Sequence, residues 1–291
     1  MKFCLACQHT FTGDDIKCPA CGNVPAQRGG FMAFAPELAA QNNGYNPKSF
    51  ELLAAVEARH FWFIGRNNIL RDCMSRHFAH AKNILEIGCG TGFVLSNVRR
   101  IFPDAQLSGS DIFTEGLSFA KQRVPGATLF QMDANHIPFR NEFDVICAFD
   151  VLEHIDDDRA ALGQIYLACQ PGGGVVFTVP QHPWLWSGTD DYAHHKRRYT
   201  RRELVEKTEH AGFKIEYVSS FISLLLPAML VSRLMQKSSQ AGDQIDTGIQ
   251  IGKFTNAVFG AVMKVERWLM ARGCSFSLGG SLLVVARKVA V

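Results

Sequence analysis

What this 291-residue sequence has little of narrows its reading before any motif is considered. No apolar run reaches the ~20 residues that a bilayer-spanning helix needs. The first residues carry no basic-then-apolar leader, so a cytoplasmic chain is expected. Net charge is scarce as well, since 30 Lys and Arg against 27 Asp and Glu leave only +3. So weak a field does not advertise nucleic acid as a partner. One local basic cluster, Lys196-Arg197-Arg198 with Arg201-Arg202, reads equally well as a phosphate contact or a solvated helix start. In a reducing compartment nine cysteines point to metal or burial rather than to disulfides.

What is present supports a large core, because 47% of the residues are hydrophobic. At the amino end, Cys4-Leu5-Ala6-Cys7 and Cys18-Pro19-Ala20-Cys21 form two C-x-x-C knuckles ten residues apart, with Gly13 and Gly22 placed for turns. Four thiolates close a tetrahedral shell around Zn²⁺, and residues 1–24 have too little core to fold without it. A closed shell leaves no open position, so this zinc is expected to be structural and the ribbon to dock a protein or RNA. Residues 25–49, rich in Gly, Asn, Gln and Pro, read as a linker with a docking segment at 31–34.

The chain is organised around Ile84-Leu85-Glu86-Ile87-Gly88-Cys89-Gly90-Thr91-Gly92, an apolar run that ends in three alternating glycines and opens a helix. Glycine is needed where φ is positive or the backbone passes close to a ligand, so the turn is built around a small molecule. A dinucleotide turn is spaced G-x-G-x-x-G, whereas here the spacing is G-x-G-x-G with Glu86 two residues ahead. A carboxylate there repels a diphosphate and suits an ammonium group. The stretch resembles motif I of the class I S-adenosylmethionine-dependent methyltransferases. The resemblance covers residues 50 to 287 and implies an α/β fold: a doubly wound, seven-stranded Rossmann-like sheet whose last strand returns antiparallel between strands five and six.

Carried over residue by residue, the resemblance makes Glu86, Gly88, Gly90 and Gly92 the turn around S-adenosylmethionine. Asp111, at the end of strand two, becomes the ribose ligand, and Asp133 the acceptor of the adenine amino group. Two helices at 51–59 and 67–78, with the patch His60-Phe61-Trp62-Phe63-Ile64-Gly65-Arg66 between them, correspond to a cofactor lid. After strand four, Asp150-Val151-Leu152-Glu153-His154-Ile155 resembles motif IV and faces the methyl group. Its D-x-x-E-H spacing is also similar to the E-x-x-E-H of some O-methyltransferases, which implies a divalent cation such as Mg²⁺ held by Asp150, Glu153 and His154.

Beyond strand five the loop reads Pro180-Gln181-His182-Pro183-Trp184-Leu185-Trp186-Ser187, passes Asp190 and reaches His195-Lys196-Arg197-Arg198-Tyr199. An aromatic loop ending in H-x-R-R-Y is similar to enzymes acting on small molecules and on surface-glycan or lipid intermediates. His154, His182, His195 and Tyr199 are the catalytic candidates, and Arg198 is a substrate contact. Residues 219–280 form a helical insertion with an apolar run at 221–235, a polar linker at 238–247 and a basic amphipathic helix at 254–272. That insertion either lies on the inner membrane face or caps the active site. The expected reaction is O-methylation of a small-molecule or lipid-linked acceptor. Its rivals are ribosomal-RNA base methylation guided by the ribbon and a non-catalytic scaffold.

Overall fold

The computed structural model describes residues 1–13, 15–40, 48–237 and 251–290. The linker expected at 238–247 and residues 41–47 of the one expected at 25–49 lie outside the described residues. In chain order the elements are β1 (Lys2–Phe3), β2 (Thr10–Phe11), β3 (Ala26–Arg28), β4 (Phe31–Ala33), α1 (Pro36–Ala40), α2 (Lys48–Val56) and α3 (Phe61–His77). The alternating core follows: β5 (Asn83–Ile87), α4 (Phe93–Ile101), β6 (Gln106–Asp111), α5 (Thr114–Arg123), β7 (Thr128–Gln131), β8 (Phe143–Phe149), α6 (Asp158–Ala168) and β9 (Cys169–Pro180). The chain closes with α7 (Gly188–Tyr192), α8 (Arg201–His210), β10 (Phe213–Phe221), α9 (Leu226–Lys237), α10 (Lys253–Ala271) and β11 (Ser281–Lys288).

One sheet runs in the order β10-β11-β9-β8-β5-β6-β7-β4-β3, and β11 pairs antiparallel with both β9 and β10. The expected seven strands are all there. Helices cover both faces, so a central strand such as β8 is apolar after Asp144, and Val145, Ile146, Cys147 and Ala148 are fully buried.

The sheet has nine strands because part of the stretch expected as a linker is a hairpin. β3 and β4 pair with each other, and β4 adds in parallel to β7 through Met32 and Ala33. Phe31 and Ala33 point into the core, which explains the apolar residues at 31–34. The fully buried Gln131 fixes the exit from β4: its Oε1 accepts the Ala35 N–H at 3.0 Å and its Nε2 donates to the Ala35 carbonyl at 2.7 Å. The aromatic patch also differs from expectation. It forms the first turn of α3, because the His60 side chain caps the helix by accepting the Trp62 N–H.

The Cys ribbon lies against the loop between β7 and β8. Its Phe3 N–H donates to the Pro138 carbonyl at 2.9 Å, and Arg140 stacks on the Phe3 ring at 3.7 Å. In the insertion, the front of the 221–235 run is core: Phe221, Ile222, Leu225 and Leu226 are buried. α10 packs along α3, with Arg267 donating to both oxygens of Asp72 at 2.6 and 3.0 Å.

Gln131→Leu removes both partners of the Ala35 amide, and a buried polar pair left unmade costs about 1–3 kcal/mol. Urea denaturation should show a midpoint lowered accordingly, with amide exchange accelerated first in β3 and β4.

Candidate active site

The glycine turn adopts the conformations its composition requires. Gly88, Gly90 and Gly92 all have positive φ, between 50° and 72°. A Cβ on Gly88 would lie 2.4 Å from Val151, and one on Gly92 would lie 2.8 Å from Ala120, so these two allow close packing. At Gly90 a Cβ would meet only Phe50, at 3.7 Å, so this part of the turn faces the cleft. Asp111 ties the turn to β6: its Oδ2 accepts the Gly90 N–H at 2.8 Å and its Oδ1 the Phe113 N–H at 2.9 Å. Burial raises its carboxyl to about 6, against the pull of those amides. Each oxygen keeps a second lone pair for a hydroxyl.

Glu86, on β5, is buried with Oε2 unpartnered, and burial lifts its carboxyl to about 8. Such a group is stable beside a cation. Asp133 behaves differently, since its own turn occupies it: Oδ1 accepts the Asn135 N–H at 2.9 Å and Oδ2 lies 2.8 Å from His136 Nδ1. Asp150 has φ +57° and pairs with Arg66 of α3, whose guanidinium sits 4.5 Å over the Trp62 ring. The aromatic patch thus presents an arginine to the end of β8.

A second constellation lies beside the turn after β8. The Lys196 N–H donates to the Glu153 carbonyl at 2.7 Å, which brings the loop beyond β9 to that turn. His195 Nδ1 then lies 2.9 Å from Asp190 Oδ1 and its Nε2 4.0 Å from Glu153 Oε1. Asp190 is held down at about 2 by its hydrogen bond to His195 and by Arg198, which donates to it at 2.7 Å, although burial opposes the shift. Glu153 is fully buried, neither of its oxygens has a hydrogen-bond partner, and burial pushes its carboxyl well up. Ligating atoms of Glu153, His154 and His195 lie within 4.8 Å of one another. Asp150, grouped with Glu153 and His154 in the D-x-x-E-H expectation, instead pairs with Arg66, and the side chain that lies with Glu153 and His154 is His195.

Tyr199 is also corrected. It is fully buried, donates to Asp158 Oδ2 at 2.6 Å, and lies over the Lys207 ammonium, so it builds the start of α8 and cannot reach an acceptor. His182, with φ +64°, stacks on Trp184 and keeps Nε2 without a partner. Sequence reading missed the role of Asp190. The S-x-x-D capping box that begins at Ser187 was the signal available. It also missed Glu57, which holds Thr91 and Arg123 beneath the glycine turn.

At the ribbon, Sγ atoms of Cys4 and Cys21, and of Cys7 and Cys18, are 3.6 Å apart, and all four fall within 4.8 Å. A tetrahedron with Zn–S bonds of ~2.3 Å has edges of about 3.8 Å, so the thiols fit a zinc ribbon.

Residues 50–218, well over half of the chain, match the family described as a methyltransferase domain. The chain belongs to the class I S-adenosylmethionine-dependent methyltransferases. A ubiquinone/menaquinone biosynthesis C-methyltransferase of Desulfotalea psychrophila is 33% identical over 33% of this methyltransferase and 40% of its own length. A ubiquinone biosynthesis O-methyltransferase of Psychrobacter arcticus is 28% identical over 45% and 59%. The chain thus spans about half the length of these relatives. In fold it is similar to Haemonchus contortus phosphoethanolamine N-methyltransferase 2 in complex with phosphomonomethylethanolamine and S-adenosylhomocysteine: TM-score 0.58, 18% identity, 87% of this chain and 60% of that one.

Glu86→Gln tests the electrostatics without ligand. A folded-state carboxyl at about 8, against an ordinary 4.5, is protonated when the unfolded chain is not. Wild-type stability should therefore fall relative to the variant as pH rises from about 5 to 8, reaching on the order of 2–3 kcal/mol at neutrality. Thermal melts across that range check it, and curves that stay parallel contradict it.

Proposed function

We propose that this methyltransferase transfers the methyl group of S-adenosylmethionine to a hydroxyl oxygen of a small-molecule or lipid-linked acceptor. The bound sulfonium supplies an activated methyl group, which leaves the chain to align the nucleophile and accept its proton. In this reading Asp111 takes the ribose hydroxyls, the glycine turn and Glu86 take the amino-acid end, and Arg66 positions Asp150 beside the methyl group. The observation that carries the proposal is the His195–Asp190 pair next to the turn after β8. The ionised Asp190 fixes the Nδ1–H tautomer and leaves the Nε2 lone pair as the proton acceptor. His154 serves that purpose poorly, because desolvation and the neighbouring His195 and His194 push it down to about 4. The relatives named for O-methylation act at oxygen, which agrees with this choice of nucleophile.

A second reading has one observation in its favour, the buried and unpartnered Glu153 carboxylate beside two histidines. Glu153, His154 and His195 have the donor types that hold a divalent cation, which would polarise the acceptor hydroxyl. In this reading the four ribbon thiolates hold a structural zinc, and Phe3 joins the ribbon to the loop at 138–140 ahead of β8.

Cell extracts incubated with labelled methyl donor should yield a labelled amphiphilic or small-molecule product. His195→Gln should lower its rate by ~10²-fold or more. Persistence of the rate after EDTA supports His195 as base, whereas loss with recovery on Mg²⁺ or Mn²⁺ supports the cation. A rate unchanged in His195→Gln contradicts both.

A further inference from the structure

α10 has two faces with opposite fates. One is fixed to the domain: Met263 and Met270 enter the core, Asn256 Oδ1 accepts the Phe61 N–H at 2.8 Å, and Glu266 Oε2 accepts the Ser223 and Leu224 N–H groups at 2.7 and 2.8 Å. The other carries Phe254, Val258, Ala261, Val265 and Trp268, which recur at steps of four and three and so form one stripe. Phe254 is 83% exposed, Val258 42%, Val265 52% and Trp268 51%. The stripe is about 21 Å long at 1.5 Å per residue, and an apolar strip of that extent on a rigid helix marks an interaction surface.

The charges beside the stripe identify its occupant. Glu266 is the only acid in α10, and it is buried on the anchored face. Arg267 is spent on Asp72. The exposed charges left on the helix and at its end are Lys253, Lys264 and Arg272, all basic, and the Arg272 guanidinium stacks on the Trp268 ring at 3.8 Å. Apolar residues with an indole and a phenyl ring, flanked only by cations, complement an anionic bilayer interface. Phe221, Ile222, Leu225 and Leu226, which are buried, and Arg267, which is paired with Asp72, all lie in the insertion expected from sequence at the membrane face but do not belong to this surface.

We propose that the outer face of α10 docks this protein on anionic lipid. No helix among the described residues is long and apolar enough to cross a membrane, so the attachment is peripheral and reversible. Docking bears on the active site through α3: α10 packs along that helix, and Arg66 of α3 holds Asp150. The inference does not depend on which acceptor is methylated.

The test is co-sedimentation of the full-length, zinc-loaded protein with phosphatidylcholine vesicles, with and without about 30% phosphatidylglycerol. Wild type should pellet with the anionic vesicles and less so as salt rises from about 0.1 to 0.5 M. Phe254→Ser/Trp268→Ser should weaken binding about tenfold or more, and Lys253→Glu/Lys264→Glu should remove its lipid-charge dependence. Leu167→Ser, at an exposed apolar position on α6, should bind as wild type. All substituted side chains are exposed, and an unchanged melting curve confirms that each variant is folded. Wild type left in the supernatant at low salt overturns the proposal. So does a Phe254→Ser/Trp268→Ser variant that still pellets, or light scattering that shows a wild-type dimer which this variant turns into monomer.

Discussion

The Gly90 N–H donated to Asp111 is the interaction on which the site depends. It locks a turn of three left-handed glycines to the end of the neighbouring strand and leaves the Gly90 side of that turn facing the cleft. Without it, β5 and β6 would still pair and the Cys89 N–H would still reach the Ser110 carbonyl, but the middle of the turn would lose its tie to the end of β6. Glu57 reinforces the same turn from below through Thr91 and Arg123. Two acids, Asp111 and Glu86, are kept in the cleft at an energetic cost, because burial raises both above their ordinary range. A ligand with hydroxyls and an ammonium group offsets that cost on binding, and a neutral apolar ligand does not.

On the far side of β8 the charges are arranged with opposite effect. Asp190 is ionised and satisfied by Arg198 and His195, whereas Glu153 is buried and unsatisfied. Two carboxyl groups so differently treated divide the labour: one, ionised, orients a histidine, and the other keeps its proton unless a cation or a substrate donor meets it. The same loop brings Arg198 to the Gln181 carbonyl, so its shape rests on charge-assisted bonds that chloride and salt screen poorly in a buried setting.

Much of the fold was legible because its signals are local. Apolar strands, the glycine spacing and the two C-x-x-C knuckles each state a backbone requirement within a few residues. The hairpin at 26–33 was not legible, since its pairing with β7 rests on Gln131, about a hundred residues away, and its own composition is that of a linker. The role given to Tyr199 failed for a related reason: a motif identifies a residue type, while Asp158 and Lys207 decide where its hydroxyl goes. Glu153 and His195 come together where Lys196, Arg197 and Tyr199 meet the turn after β8, contacts between segments some forty residues apart. The insertion carried its amphipathic pattern openly, yet which face turned inward depended on α3 and on Asp72.

The central claim is that the cleft formed by the glycine turn and Asp111 holds the methyl donor. Isothermal titration calorimetry of the wild-type protein with S-adenosylhomocysteine tests it most directly, since no acceptor is needed. The account predicts one site per chain, with Asp111→Ala weakening it by roughly 2–4 kcal/mol through the loss of charge-assisted bonds. No heat of binding with either S-adenosylhomocysteine or S-adenosylmethionine at millimolar concentration would contradict it.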